Sequence, residues 1–234
     1  MQNTRPRARR TLRLALTLAA LTVAATALAG CAATAQPVAA EAAAAPAGQE
    51  RPSAVAIGDS IAFGKGVGPD ESWPALVAEQ HGWRLDDLAV SGSGFVKAGW
   101  DGTTYRDQVD RALKLHPAFI LIAATRNDRD QDPAAVTSSA DRLLGELRDT
   151  FPHAHIIGIT GIWGADAQPA TLQRVDDIVG AAVRGVDGDF LDLGSPLEGK
   201  PDLLQTDGIH PNAAGQRAVA ARVENRLAPL AATL

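Results

Sequence analysis

The segment Ser53-Ala-Val-Ala-Ile-Gly-Asp-Ser60 is a short apolar run that ends in a glycine and is followed at once by an acid and a serine. An apolar run of this length, bounded by a glycine, predicts a buried strand over residues 53–58. Asp59 and Ser60 would then lie at the carboxyl end of that strand. Because parallel α/β sheets bind their ligands at this end of the strands, Ser60 is the first candidate for a functional residue.

The same alternation of apolar strand and amphipathic helix continues toward the carboxyl terminus. Residues 119–124 (FILIAA) form the most hydrophobic run and predict a central strand that is buried on both faces. We predict further strands at 85–90, 155–160 and 189–193, and helices at 73–81, 105–115, 133–150, 172–184 and 211–227. This order predicts an α/β fold, a flavodoxin-like three-layer sandwich with a central, mostly parallel five-stranded sheet.

The beginning of the chain has the features of an export signal. Five arginines precede an apolar, Ala/Leu-rich segment at 14–29, which is too short and too small-chained to predict a membrane span. Residues 28–31, Leu-Ala-Gly-Cys, resemble the lipobox of bacterial lipoproteins, which implies cleavage before Cys31 and a diacylglycerol on its sulfur. We therefore expect an exported protein that this lipid anchors on the extracytoplasmic face of the cell membrane. The sequence leaves Sec and twin-arginine export both open.

Composition divides the chain into three parts, namely a signal peptide at 1–30, the lipidated cysteine with a flexible tether at 31–52, and one domain at 53–234. The tether has almost no large apolar residues and cannot bury a core. The formal net charge is −5, and loss of the five arginines of the signal peptide makes it −10. A chain this acidic predicts no nucleic-acid partner. Cys31 is the only cysteine, so no disulfide is expected.

Four short motifs carry the chemistry of this domain. Gly-Asp-Ser ends at Ser60 after the first predicted strand, Ser-Gly ends at Gly92 after the second, and Asn127-Asp follows the third. Asp207-Gly-Ile-His210 precedes the last predicted helix. A serine hydroxyl is a poor nucleophile until a base takes its proton. A neutral imidazole serves as that base near neutral pH, and a carboxylate fixes its tautomer.

In this order the motifs resemble the SGNH (GDSL) hydrolases, over nearly all of the chain after the tether. The resemblance implies that Ser60 is the nucleophile, His210 the base and Asp207 the carboxylate that orients it. It also implies an oxyanion hole made by the backbone N–H groups of Ser60 and Gly92 and the side chain of Asn127. It implies no cofactor, and no clustered ligand set in the sequence predicts a metal site.

The block after the third strand departs from the usual Gly-x-Asn-Asp, because Thr125 stands in the place of the glycine. If that glycine supplies a positive φ or a close backbone approach, Thr125 would strain the loop. We favour the alternative that the position lines the pocket, which Thr125 narrows.

Three aspartates at alternate positions, 128, 130 and 132, resemble the start of a calcium loop. Pro133 and Ser139 stand where that loop requires a glycine and a glutamate. We therefore expect these aspartates to form a solvated acidic turn and the beginning of a helix.

Three functions are compatible with this pattern. The first is a serine esterase that hydrolyses short-chain O-acyl esters, acetyl esters above all, of a carbohydrate or another small alcohol through an acyl-enzyme. The second is an O-acyltransferase with the same triad, since acceptor choice depends on how well water is excluded. The third is a non-enzymatic surface binding lipoprotein, against which the presence of all five site residues argues. The expected partners are a small-molecule or polysaccharide ester and, through the lipid, the membrane; the oligomeric state stays open.

Overall fold

Five parallel strands form one sheet in the order β2-β1-β3-β4-β5. We describe a computed structural model, which covers residues 50–230. The predicted signal peptide, Cys31 and nearly all of the tether lie outside these described residues. The strands are β1 Ser53–Ile57, β2 Arg84–Asp87, β3 Phe119–Ala123, β4 His155–Ile159 and β5 Asp189–Leu191.

Five α-helices cover the sheet: α1 Trp73–His81, α2 Tyr105–Ala112, α3 Pro133–Thr150, α4 Ala170–Gly185 and α5 Ala213–Leu227. The predicted α/β class and the flavodoxin-like order of strands are confirmed, and the bounds predicted for α1 and α3 match those of the structure. Among the described residues, no helix has the length and apolarity needed to cross a bilayer.

The core has two halves, one on each face of the sheet. Side chains alternate along β3, so that Leu121 packs on the side of α1 and α5, whereas Ile120 and Ile122 pack on the side of α2, α3 and α4. All five residues of β3 are buried, as expected for a central strand between two layers of helices.

The structure differs from several predicted boundaries by one to three residues, and two of these differences, at the end of β2 and the beginning of α5, concern segments that carry motif residues. Beyond Asp87 the chain still pairs with the end of β1, since the N–H groups of Leu88 and Val90 donate to carbonyls there, but the regular strand has ended. Pro211 does not begin α5, because it forms an antiparallel bridge with Leu204, and Asn212 caps the helix instead. That bridge closes a loop at residues 205–210, which we call the histidine loop.

The carboxyl end of β1 is held in place by a buried side chain that no motif had indicated. Gln108 in α2 accepts a hydrogen bond from the backbone N–H of Gly58 at 2.9 Å and donates one to the Gly58 carbonyl at 2.9 Å. Both backbone groups of Gly58 are therefore satisfied at the point where the regular strand ends. The turn that follows, residues 59–66, thus starts from a rigid point.

Candidate active site

Ser60, His210 and Asp207 form a continuous chain of hydrogen bonds. The Oγ of Ser60 lies 2.9 Å from Nε2 of His210, and Nδ1 of His210 lies 2.6 Å from Oδ2 of Asp207. Ser60 and His210 are both buried except for a small exposed fraction, 8% and 7% respectively. The structure therefore brings together the three residues that the motifs predicted, although Ser60 and His210 are 150 positions apart.

The histidine loop holds Asp207 and His210 in one local turn. The other carboxylate oxygen of Asp207 accepts hydrogen bonds from the backbone N–H groups of Ile209 at 2.9 Å and His210 at 3.0 Å. These bonds, first that from the His210 backbone and then that from its side chain, hold the pKa of Asp207 below its usual range. Asp207 is therefore an anion at neutral pH and keeps the imidazole in a fixed orientation.

Two glutamines tie the turn that carries Ser60 to the segment that carries His210. Nε2 of Gln205 donates to the carbonyl oxygens of Lys65 at 2.6 Å and Pro211 at 3.0 Å. Nε2 of Gln216, in the first turn of α5, donates to the carbonyl oxygen of Ile61 at 3.0 Å. Gln216 is fully buried, so this bond is shielded from water. Sequence reasoning missed both residues, because an isolated glutamine carries no motif.

Each of the three donors that the family resemblance implied for the oxyanion hole has an N–H group that no described residue uses. Within residues 50–230, no acceptor takes the backbone N–H of Ser60 or of Gly92. The side-chain amide of Asn127 donates to the carbonyl oxygen of Ser93 at 2.9 Å, which orients the amide and leaves its second N–H available. This set of donors can bind an oxygen that gains negative charge.

Gly92 has a backbone conformation that a residue with a side chain rarely adopts. Its φ is +81°, and a Cβ atom there would lie 3.2 Å from Cδ1 of Trp100. Both facts favour glycine, because the left-handed region strains other residues and the indole leaves little room. The backbone at this position therefore suits glycine better than any other residue.

The role expected for Thr125 was wrong. Its side chain is fully buried, so it does not line a pocket, and its φ of −131° is ordinary extended backbone, so the alternative of a strained loop does not apply either. Its hydroxyl donates to Oδ2 of Asp59 at 2.6 Å and accepts from the backbone N–H of Asn127 at 3.1 Å. Thr125 thus lies beneath the site and joins the residue before Ser60 to one of the expected oxyanion donors.

Asp59 forms the other half of this buried link. It accepts the N–H of Ile61 at 2.9 Å as well as the hydroxyl of Thr125. Burial raises the pKa of Asp59, while these two hydrogen bonds and the nearby charges act against the increase. The carboxyl group therefore braces the turn at Ser60 and depends on Thr125 for one of its partners.

Asp128 is also a support, and the expectation that it belongs to a solvated turn was wrong. It is buried, and its carboxylate accepts the backbone N–H groups of residues 95–97 at 2.6, 3.2 and 2.8 Å. A Cβ on Gly94 would lie 2.5 Å from this carboxylate, so the loop can approach only as glycine. The expectation is confirmed for Asp132, which caps the N-terminus of α3.

The comparison with family models identifies the group to which this arrangement belongs. Residues 56–218 match the GDSL-like Lipase/Acylhydrolase family. The chain belongs to this family. It is therefore a GDSL-type hydrolase and an esterase, and the resemblance drawn from the four motifs is confirmed.

Relatives of this GDSL-type hydrolase agree in sequence and in fold. The chain is 30% identical over 193 residues to the GDSL lipase Rv0518 of Mycobacterium tuberculosis (strain ATCC 25618 / H37Rv), covering 74% of this chain and 79% of that one. A family two carbohydrate esterase from Clostridium thermocellum in complex with cellohexaose has a TM-score of 0.65 at 20% identity, covering 82% of this chain and 67% of that one. The salicylyl-acyltransferase SsfX3 from a tetracycline biosynthetic pathway has a TM-score of 0.63 at 21% identity, covering 79% of this chain and 56% of that one.

Replacement of Thr125 tests the buried link. Thr125→Val keeps the shape but leaves an oxygen of Asp59 and the N–H of Asn127 without partners, so we expect a loss of about 1–3 kcal/mol in the free energy of unfolding. We also expect a lower kcat, because Thr125 binds Asp59, which directly precedes Ser60, and the backbone of Asn127. Thr125→Ser keeps the hydroxyl and should stay close to the wild type in both the free energy of unfolding and kcat. Urea unfolding and kcat on 4-nitrophenyl acetate measure the two effects; an unchanged Val variant would contradict the link.

Proposed function

We propose that this GDSL-type hydrolase is a serine esterase in which Ser60 is the nucleophile, His210 the base and Asp207 the carboxylate that orients it. The observation that carries the proposal is the unbroken chain of hydrogen bonds from Asp207 through His210 to Ser60. The proposal is further supported by the backbone N–H groups of Ser60 and Gly92, which no described acceptor occupies and which are therefore available as oxyanion donors.

In the proposed mechanism, Nε2 of His210 takes the proton of Ser60 while Oγ attacks the ester carbonyl carbon. The carbonyl oxygen becomes an oxyanion and binds to the N–H groups of Ser60 and Gly92 and to the amide of Asn127. Loss of one such donor typically costs about 2.7–4 kcal/mol in the barrier. The imidazolium returns its proton to the departing alcohol, and water then releases the acid from the acyl-enzyme by the same steps in reverse.

We propose a short acyl group on a carbohydrate or another small alcohol as the substrate. The side chains of Phe63 and Trp100 are 53% and 83% exposed and line a cavity of about 450 Å³ that begins at Ser91, next to Gly92. Exposed aromatic faces suit the apolar face of a ring-shaped alcohol. The fold neighbour solved with cellohexaose is consistent with such an alcohol.

Transfer of the acyl group to a sugar hydroxyl is the second candidate. It is favoured by the fold shared with a salicylyl-acyltransferase, and both reactions proceed through the same acyl-enzyme. The two differ in whether water or an alcohol attacks that intermediate. Release of free acid in the absence of an added sugar would establish hydrolysis.

We also propose that the mature protein is attached to the extracytoplasmic face of the membrane through Cys31. The support is the Leu-Ala-Gly-Cys motif at the end of a signal-like segment, together with the Ala/Pro-rich stretch that follows. This stretch would hold the enzyme a short distance from the lipid surface.

The nucleophile is tested by covalent labelling. We expect a fluorophosphonate probe to label the wild type on Ser60, and Ser60→Ala to lose both the label and hydrolysis of 4-nitrophenyl acetate. His210→Ala should lose nearly as much activity, because the two residues act as a unit. Ser138→Ala, at an exposed serine of α3, is the matched control and should behave as the wild type. Labelling or turnover that persists in Ser60→Ala would refute the assignment.

Chain length tests the proposed acyl group. We expect kcat/KM to fall from acetyl to butyryl to octanoyl esters of 4-nitrophenol, since a methylene contributes about 0.8 kcal/mol only where it is buried. The exposed side chains of Phe63 and Trp100 form an open surface and not an enclosed tunnel that could bury a long acyl chain. Measurements are made below the solubility limit of the octanoyl ester. A preference for octanoyl over acetyl would show instead that the enzyme is built for long acyl chains.

The membrane anchor is tested on the full chain in a bacterial host. Wild-type protein should take up labelled fatty acid and sediment with membranes, because two or more acyl chains give stable attachment. Cys31→Ser should abolish the label and move the protein to the soluble fraction. If the variant stays in the membrane, the apolar leader is an uncleaved anchor and the proposed lipidation is wrong.

A further inference from the structure

Arg126 is a cation next to a candidate site residue, Asn127, and it forms no ion pair with any described carboxylate. It lies in the short turn between Thr125 and Asn127 and is half-buried. Nη1 of its guanidinium is shielded from water and has no hydrogen-bond acceptor within residues 50–230. No carboxylate in the same part of the chain lies within 4 Å of its side-chain nitrogens. Such an arrangement is unusual, because buried charged donors are normally paired.

The guanidinium of Arg126 is held in place by stacking and not by an ion pair. Its Cζ lies 4.0 Å from the ring centre of Trp163, the half-buried residue in the loop after β4. Stacking on an indole fixes the plane of a guanidinium. Because Nη1 is shielded, the N–H groups that remain to bind a planar or tetrahedral anion are those of Nε and Nη2, which have no acceptor within residues 50–230. Arg129 lies 5.8 Å from the same ring, but it is paired with Asp130 at 3.2 Å.

The nearby carboxyl groups already have their own partners. Asp59 is satisfied by Thr125 and Ile61, and Asp207 by His210 and the N–H of Ile209. The charges of both carboxylates favour the protonated form of Arg126 and act to raise its pKa. Arg126 directly precedes Asn127, so its side chain belongs to the same short turn as an expected oxyanion donor. Burial, and then the charge of Arg129, lower the pKa of Arg126, yet a guanidinium remains protonated at neutral pH.

We propose that Arg126 determines specificity by binding a carboxylate or phosphate group of the ester, so that the preferred substrate is an acidic ester. This proposal rests on the proposed esterase function. The guanidinium would donate hydrogen bonds from Nε and Nη2 to the anion while the carbonyl oxygen binds at the adjacent Asn127. A chain with a net charge of −5 repels anions on average, so an acidic substrate requires a dedicated cation at the site.

The test compares esters that differ in one charge. One pair carries the charge on the acyl side, as 4-nitrophenyl hydrogen glutarate against 4-nitrophenyl valerate. The other carries it on the alcohol side, as 4-acetoxybenzoate against 4-acetoxybenzamide. We expect the wild type to favour the anionic member of one pair by about tenfold in kcat/KM, mainly through KM, as for a charge-assisted hydrogen bond. The pair that shows the preference identifies which side of the ester carries the charge.

Two variants and one control separate recognition from support of the fold. Arg126→Gln should remove the preference while turnover of the neutral esters stays within about twofold, and Arg126→Lys should retain part of it, because it keeps the charge without the planar fork. Arg129→Gln removes a neighbouring cation that is already paired and should leave the preference intact. Raised salt should weaken the preference wherever it is present, in the wild type, Arg126→Lys and Arg129→Gln alike, and should have no effect on the ratio for Arg126→Gln.

Three results would overturn the proposal. If the wild type turns over neutral esters but favours the anionic member of neither pair, the recognition claim is wrong and the esterase function stands. If Arg126→Gln lowers kcat/KM for neutral and anionic esters by the same factor, Arg126 acts on the oxyanion or on the fold and does not recognise a charged group of the substrate. If the wild type releases acid from none of the four esters, the proposed function fails, and this proposal fails with it.

Discussion

The hydrogen bond between Ser60 and His210 is the interaction on which the rest of the site depends. It joins the turn after the first strand to a loop just before the last helix, and neither segment packs against the other as regular secondary structure. Gln205 and Gln216 bridge the two segments through backbone carbonyl groups. Because both glutamines bind backbone atoms, they set the distance between the segments largely independently of neighbouring side chains, and Oγ and Nε2 meet at 2.9 Å.

Each of two short motifs places one residue at the site and one beneath it. In the first, the hydroxyl of Ser60 is bonded to His210, while Asp59 is buried and bound to Thr125. In the second, Asn127 is the proposed oxyanion donor, while the buried carboxylate of Asp128 holds the loop that follows Gly92. In each motif the aspartate therefore supports the segment that carries a candidate site residue. This is a physical reason for Asp59 to stand next to Ser60, and for Asp128 to stand next to Asn127.

The balance of charge around the site follows from this division. The carboxyl groups near Ser60 are all engaged by hydroxyl, imidazole or backbone N–H donors, so their charge is spread over fixed dipoles. Arg126 is instead supported by the face of Trp163, which stabilises a cation without neutralising it. The site therefore combines satisfied acids with a cation that has no ion-pair partner among the described residues, and this asymmetry is the basis of the acidic substrate proposed above.

The sequence by itself determined the alternation of strands and helices, the bounds of α1 and α3, and the order of the motifs. These features depend on hydrophobic periodicity, capping residues and motifs of a few residues, all of which act over short stretches of sequence. The pairing of Asp207 with His210, three positions later, is local in the same sense. The lipid anchor at Cys31 stays a prediction, because it lies outside the described residues. Only the tertiary structure decided that Thr125 and Asp128 are buried supports, and that Gln108, Gln205 and Gln216 hold the site together. Those roles arise from contacts between segments far apart in the chain, where one residue's partners are set by how helices pack on the sheet and not by its neighbours in sequence.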